Sequence, residues 1–190
     1  NFKQAKDLVK LARKKKRLLS EAVVFHYHHQ INKAIKEINS LKNLTHVHAR
    51  FVIPKFPKKN FHNFKKYGGG CLLDMGPYAA AVFRIFVAKN IRKVTYFSSS
   101  KENRNGVNTN FNVEIIAGKK YFSGYFSHNG EYENTLTLFT KKKSVTINRV
   151  FSPPNDIDLT LRINTDNTNK EKKLKSDDTF FNYFNKIITL

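Results

Sequence analysis

Apolar residues recur at Phe2, Ala5, Leu8, Val9, Leu11 and Ala12, close to helical spacing, and predict a helix over Asn1–Lys16 with Asn1 as its N-cap. Leu18–Tyr27 follows as an apolar run with β-branched residues and reads as a strand. Gln30–Ile38 returns to helical spacing through Ile31, Ala34, Ile35 and Ile38. In Thr45–Ile53 the alternation of Val47, Ala49, Phe51 and Ile53 predicts a strand with one apolar face. A basic, aromatic loop over Pro54–Tyr67 leads into Gly68-Gly69-Gly70 and a strongly apolar segment, Leu72–Ala88, long enough for a helix. Beyond it the period changes to two. Strands are expected at Lys93–Ser98, Asn110–Ala117, Lys120–His128, Tyr132–Thr140, Ser144–Asn148 and Ile157–Ile163. Turn signals at Asn105-Gly106, Gly118, Asn129-Gly130 and Pro153-Pro154-Asn155 separate them. Asp177–Leu190 closes the chain as an amphipathic helix with Phe180, Phe184 and Ile187 on one stripe. The order predicts an α+β fold: an open, largely antiparallel sheet of about six strands with helices on one face.

The strand Tyr121-Phe122-Ser123-Gly124-Tyr125-Phe126-Ser127 carries aromatics on both faces, Tyr121 and Tyr125 on one and Phe122 and Phe126 on the other. Helices can cover one face. For the tyrosine face two readings stand: a partner subunit or domain covers it, or the rings lie flat on an exposed sheet.

Composition adds less than pattern. Apolar residues make up 40% of the chain and aromatics 13%, enough for a core and too much for a disordered chain. No apolar run approaches a membrane span, so no membrane partner is expected. The single cysteine, Cys71, cannot form an internal disulfide, which fits a reducing, cytoplasmic setting. The balance of 35 Lys+Arg against 14 Asp+Glu, formally +21, would attract polyanions. The clusters at Arg13–Arg17, Lys58–Lys59, Lys65–Lys66, Lys119–Lys120, Lys141–Lys143 and Lys170–Lys175 are scattered over expected turns and helix ends. That dispersion argues against nucleic acid as the partner, and Lys170–Lys175 reads as a solvated loop.

The stretch Gly68-Gly69-Gly70-Cys71-Leu72-Leu73-Asp74-Met75-Gly76-Pro77-Tyr78 carries the candidate chemistry. Glycines before a helix let the backbone approach a ligand and leave free N–H groups and a positive helix end toward it. Asp74 and Tyr78, four apart, would point the same way on a regular helix. Pro77 between them predicts a helix that starts near Asp74 or kinks there. A carboxylate and a phenol beside a glycine wall suit a polyol or sugar.

This segment resembles the Gly-Gly-Gly-x-x-x-Asp-x-Gly-x-His/Tyr signature of the glucose–fructose oxidoreductase / inositol dehydrogenase / rhizopine catabolism (Gfo/Idh/MocA) family. Glu21–Gln30 resembles the family's strand leaving its cofactor domain, Asn63-Phe64-Lys65 its Asn-Trp-Arg, and Asn1–Lys16 the helix after its Glu-Lys-Pro. The resemblance implies that residues 1–27 are the tail end of a dinucleotide-binding Rossmann domain and residues 28–190 the substrate-binding and oligomerisation domain. It implies NAD or NADP as cofactor and hydride transfer to or from a sugar, sugar derivative or polyol. Tyr78 takes the catalytic acid/base position, and Asp74 binds substrate hydroxyls or orients Tyr78. Gly69, Gly70, Asn63 and Lys65 join the substrate-binding set, and Glu21 and His26 face the cofactor. A homo-oligomer through the sheet face is expected as well.

The chain departs from the pattern at His29, where the family often has proline, and at Lys65, where it often has arginine. No Gly-x-Gly-x-x-Gly occurs in it, and the family's lysine would lie upstream of Asn1, so this fragment alone is expected to be inactive. The alternatives are a non-catalytic binding or scaffolding module of the same fold, or a basic polyanion-binding domain. Two histidine pairs, His26/His28 and His46/His48, together with Asp74 raise zinc, but no cysteine or glutamate sits at ligand spacing and no metal is expected. Ser127-His128 lacks a nucleophile-elbow pattern, and Cys71 reads as a packing residue.

Overall fold

In the computed structural model, residues 2–88 and 94–189 are described. Helices are α1 (Phe2–Lys14), α2 (His29–Glu37), α3 (Cys71–Val82) and α4 (Thr179–Ile188). Strands are β1 (His46–Val52), β2 (Tyr96–Ser99), β3 (Asn110–Ala117), β4 (Lys120–Ser127), β5 (Glu133–Phe139), β6 (Lys143–Asn148), β7 (Leu159–Thr165) and β8 (Thr168–Leu174). They form one open eight-stranded sheet in the order β2-β3-β4-β1-β5-β6-β7-β8. The pairing of β1 with β4 is parallel, and the others are antiparallel.

Alternation decides which face is buried. In β1 Val47, Ala49 and Phe51 point inward, in β3 Phe111, Val113 and Ile115, in β4 Phe122 and Phe126, and in β5 Leu136 and Leu138. Register brings Ala49 opposite Gly124, between the larger pairs Val47–Phe122 and Phe51–Phe126. A Cβ at Gly124 would lie 2.6 Å from the Phe126 ring and 3.2 Å from that of Phe122, so those rings occupy the space above the glycine. Helix α3 packs across β1, β3 and β4, and α2 against β6 and β7. On the opposite face Tyr121 and Tyr125 are half-buried, Tyr121 beside His46 and Tyr125 under Arg50.

Four expectations need correction. Leu18–Tyr27 forms no strand: residues 18–24 have no regular structure and Phe25–Tyr27 is one 3-10 turn. A short apolar run does not reveal whether a sheet edge is free for it; here Val23, Val24 and Phe25 are buried as a plug, Phe25 edge-on to Phe151. Lys170–Lys175 is mostly strand, not loop. β8 pairs with β7 across the turn Asp166-Asn167, and its lysines sit on an exposed edge, where charge discourages pairing with other chains. With β8 and β1 counted beside the six period-two runs, the sheet has eight strands instead of six. In α4 the stripe of Phe180 and Phe184 faces outward, and the helix buries Thr179 and Tyr183, the latter against Tyr27. Of the strand expected at Lys93–Ser98, Lys93 lies outside the described residues, as do Asn1 and Leu190; the observed strand is Tyr96–Ser99.

Two junctions lock the helices. His28 caps α2, its Nδ1 accepting from the Gln30 N–H at 3.2 Å. Asp177 accepts the His29 N–H at 2.8 Å and lies 3.0 Å from His29 Nδ1, while Asn182 donates to both Asp177 and the Tyr27 carbonyl. The start of α4 is thereby tied to the start of α2. Helix α1, in contrast, buries none of its residues. Among the described residues no helix is long and apolar enough to cross a membrane.

Burial pushes the His28 imidazole down to about 4 from its ordinary 6.5 and lowers His26, His46 and His48 in the same direction. Between pH 6.5 and about 4 the unfolded chain binds the extra proton, so stability should rise with pH through that window. The urea midpoint is expected to fall as pH drops from 7 to 5. In His28→Asn, which retains a capping oxygen but does not titrate, the fall should be shallower; an unchanged slope would show that His28 is not its source.

Candidate active site

The parallel β1–β4 pair sends two segments out at the same end of the sheet: the loop after Val52 and the His128 turn after Ser127. Helix α3 begins above them. Gly68 and Gly70 have φ of +76° and +106°, conformations an L side chain resists. Gly69 lies so close to the turn Phe61–Asn63 that a Cβ would sit 2.5 Å from the His62 carbonyl oxygen. The Gly70 N–H donates to that same oxygen at 2.9 Å. The N–H groups of Cys71 and Leu72 donate to the carbonyl and side-chain oxygens of Asn108, at 3.0 and 3.3 Å. The N–H groups of Gly70, Cys71 and Leu72, expected to be free for a ligand, are therefore spoken for. Here the glycines let a loop dock on the helix start.

The helix starts at Cys71, three residues before the expected position, and runs through Pro77 before widening into a π-turn at Phe83–Val87. Cys71 is buried with its Sγ 3.8 Å from Met75 Sδ, and burial pushes its thiol up to about 12, so it is an inert packing residue.

One turn into α3, Asp74 meets two histidines that sequence reasoning did not select. The His128 Nε2 donates to Asp74 Oδ2 at 2.9 Å, and its side chain is 6% exposed. His62 Nε2 lies 3.7 Å from the same oxygen, beyond hydrogen-bond range. Phe56 stacks on the His62 ring at 4.1 Å and meets His128 edge-on at 5.0 Å. Asp74 itself remains partly exposed. His128 was weighed only as a neighbour of Ser127, and His62 lay in a loop with no periodicity, so neither carried a usable signal.

Tyr78, one turn further, packs its ring among Phe25, Phe51 and Phe151. Burial first, then the charges of Asp74 and Glu21, raise the phenol above its ordinary value, so it is protonated near neutrality. Glu21 and His26 come together in a cavity of about 430 Å³ along the α3 flank, lined also by Tyr27, Pro77, Ala81 and Arg84. Asn63 and Lys65 stand apart from Asp74 in their bonding. The Asn63 amide donates to the Pro57 carbonyl at 2.8 Å, and Lys65 pairs with Glu102 at 3.2 Å on the surface. A larger cleft of about 700 Å³ lies at the other end of the strands, where Lys42, Lys119 and Lys141–Lys143 gather.

The family description for the GFO/IDH/MocA C-terminal domain matches residues 30–146. The chain belongs to this family. This GFO/IDH/MocA chain is 29% identical over 176 residues to a dTDP-3,4-didehydro-2,6-dideoxy-alpha-D-glucose 3-reductase of Saccharopolyspora spinosa, covering 90% of the chain and 52% of the relative. It spans about half the length of that curated relative. Its fold superposes on KijD10, a 3-ketoreductase from Actinomadura kijaniata in complex with NADP and TDP-benzene. The TM-score is 0.90 at 21% identity, covering 98% of the chain and 58% of KijD10. An aldose-aldose oxidoreductase from Caulobacter crescentus complexed with glycerol matches with a TM-score of 0.75 at 14% identity, over 90% of the chain and 53% of that enzyme.

Gly69→Ala should displace the His62 turn, because the new methyl meets backbone rather than a movable side chain. A loss of about 1–3 kcal/mol in denaturant unfolding is expected; wild-type stability would show that the turn does not dock on Gly69.

Proposed function

We propose that the intact protein is an NADP-dependent reductase of a ketosugar or related sugar derivative, and that residues 28–190 form its substrate side. Residues 1–27 are read as the end of the dinucleotide-binding domain. The exposure of Phe2, Leu8 and Leu11 on α1 supports this, since such a face suits packing on elements other than the sheet. The observation that carries the reading is the half-buried Tyr78 one helical turn from Asp74, whose carboxylate His128 holds in place. The curated relative is a sugar 3-reductase, and the KijD10 structures with NADP include a tyrosine-to-phenylalanine variant and lysine variants.

The Glu21–His26 cavity is large enough for one ring-sized portion of a dinucleotide, and its mixed lining of Glu21, His26, Arg84 and alanines fits that end. When bound, NADPH supplies the hydride. This chain's residues do the rest. Tyr78 Oη donates a proton to the carbonyl oxygen as it becomes an alcohol, and Phe25, Phe51 and Phe151 pack around its ring and hold it. Asp74 Oδ accepts from substrate hydroxyls and fixes the sugar. A phenol raised in this way needs a cation to give up and regain its proton readily; the family's lysine is the group that would provide it. The open sheet face, with Tyr121, Tyr125 and the exposed Ile116, is read as the homo-oligomer surface.

Tyr78→Phe in the intact protein should lower kcat for a dTDP-linked ketosugar by roughly 100-fold or more, followed as NADPH absorbance loss, with KM little changed. Unchanged turnover removes Tyr78 from the acid/base role.

A further inference from the structure

The contacts around His62 determine which of its nitrogens carries the proton. Asn60 Oδ1 accepts the His62 backbone N–H at 3.0 Å, which orients that amide with its oxygen toward the imidazole. His62 Nδ1 lies 2.7 Å from the same oxygen, so Nδ1 bears hydrogen and donates. In the neutral ring Nε2 is then a lone-pair acceptor. It faces Asp74 Oδ2, also an acceptor, across 3.7 Å. His128 occupies one direction of approach to that carboxylate, and Phe56 and Phe61 hold the His62 ring, with centroids at 4.1 and 3.9 Å. Two acceptors fixed side by side at a partly exposed position are complementary to two donors. A single hydroxyl has one hydrogen and satisfies one of them. Two hydroxyls on adjacent carbons satisfy both.

We infer that His62 and Asp74 together form a vicinal-diol subsite, with one sugar hydroxyl donating to His62 Nε2 and its neighbour to Asp74. His62 is thereby a specificity-determining residue. This deepens the reductase reading and rests on it: the preferred sugar keeps two neighbouring hydroxyls, unlike the 2,6-dideoxy sugar named for the curated relative.

The test is binding, which consumes no NADPH. Calorimetric titration of the protein with dTDP-glucose is compared with dTDP-3-deoxyglucose, which keeps hydroxyls at carbons 2 and 4 but no vicinal pair on the ring. A preference of about tenfold or more for dTDP-glucose is expected. His62→Phe, which keeps the stack on Phe56 but has no acceptor, should bring the two affinities within about twofold. His62→Gln, which retains an acceptor, should restore part of the preference. Nitrogen-15 NMR of the imidazoles at pH 7.5 should show His62 as the Nδ1–H tautomer. Equal affinities in the wild type, no binding of either sugar nucleotide, a preference that survives His62→Phe, or an Nε2–H tautomer would each overturn the proposal. A lost preference with Tyr78-dependent turnover intact strikes the subsite alone. A persisting preference with turnover indifferent to Tyr78→Phe strikes the reductase reading alone.

Discussion

The parallel pairing of β1 with β4 is the constraint on which the rest depends. The other neighbouring strands in the sheet are antiparallel, and the connections between successive strands from β3 to β6 are short turns. A parallel neighbour cannot be reached by a short turn. The chain after β1 therefore runs through the loop of residues 53–70 and over the sheet as α3 before β2 and β3 lead into β4. Because β1 and β4 then point the same way, their ends release Phe56, His62 and His128 at one edge, where the first turn of α3 presents Asp74. Fold and site are consequences of the same insertion of β1 between β4 and β5.

Small residues make that crossing possible at two levels. Ala49 beside Gly124 leaves space in the sheet that the rings of Phe122 and Phe126 share with the helix above. Gly69 lets the His62 turn lie directly on the helix start. Both are places where volume, not polarity, decides the geometry. The polar consequence follows: a carboxylate held by one buried histidine and faced by a second, one helical turn from a half-buried phenol.

The cationic excess has a structural location as well. Lys119 and Lys141–Lys143 collect at the opposite end of the strands from Asp74, and the β8 lysines guard an edge.

Much was legible in the order of residues. The two-residue period from Asn110 to Asn148 marked four strands because each buries one face only, and the glycine triplet with Asp74 and Tyr78 marked the site because its spacing is helical. Period says nothing about neighbours, however. The Leu18–Tyr27 run looked like a strand because a short apolar run reads the same whether it pairs in a sheet or, as here, only its Val23–Phe25 part is buried as a plug, and β8 looked like a loop because an edge strand facing water needs no apolar alternation. His62 and His128 lie 66 residues apart. Only the parallel pairing brings them to one carboxylate, and pairing is a long-range choice that no local pattern records. The sequence by itself determined the periodic elements and the helix-borne pair of Asp74 and Tyr78. Tertiary structure alone decided which groups surround them, because those contacts join segments whose separation along the chain carries no physical signal.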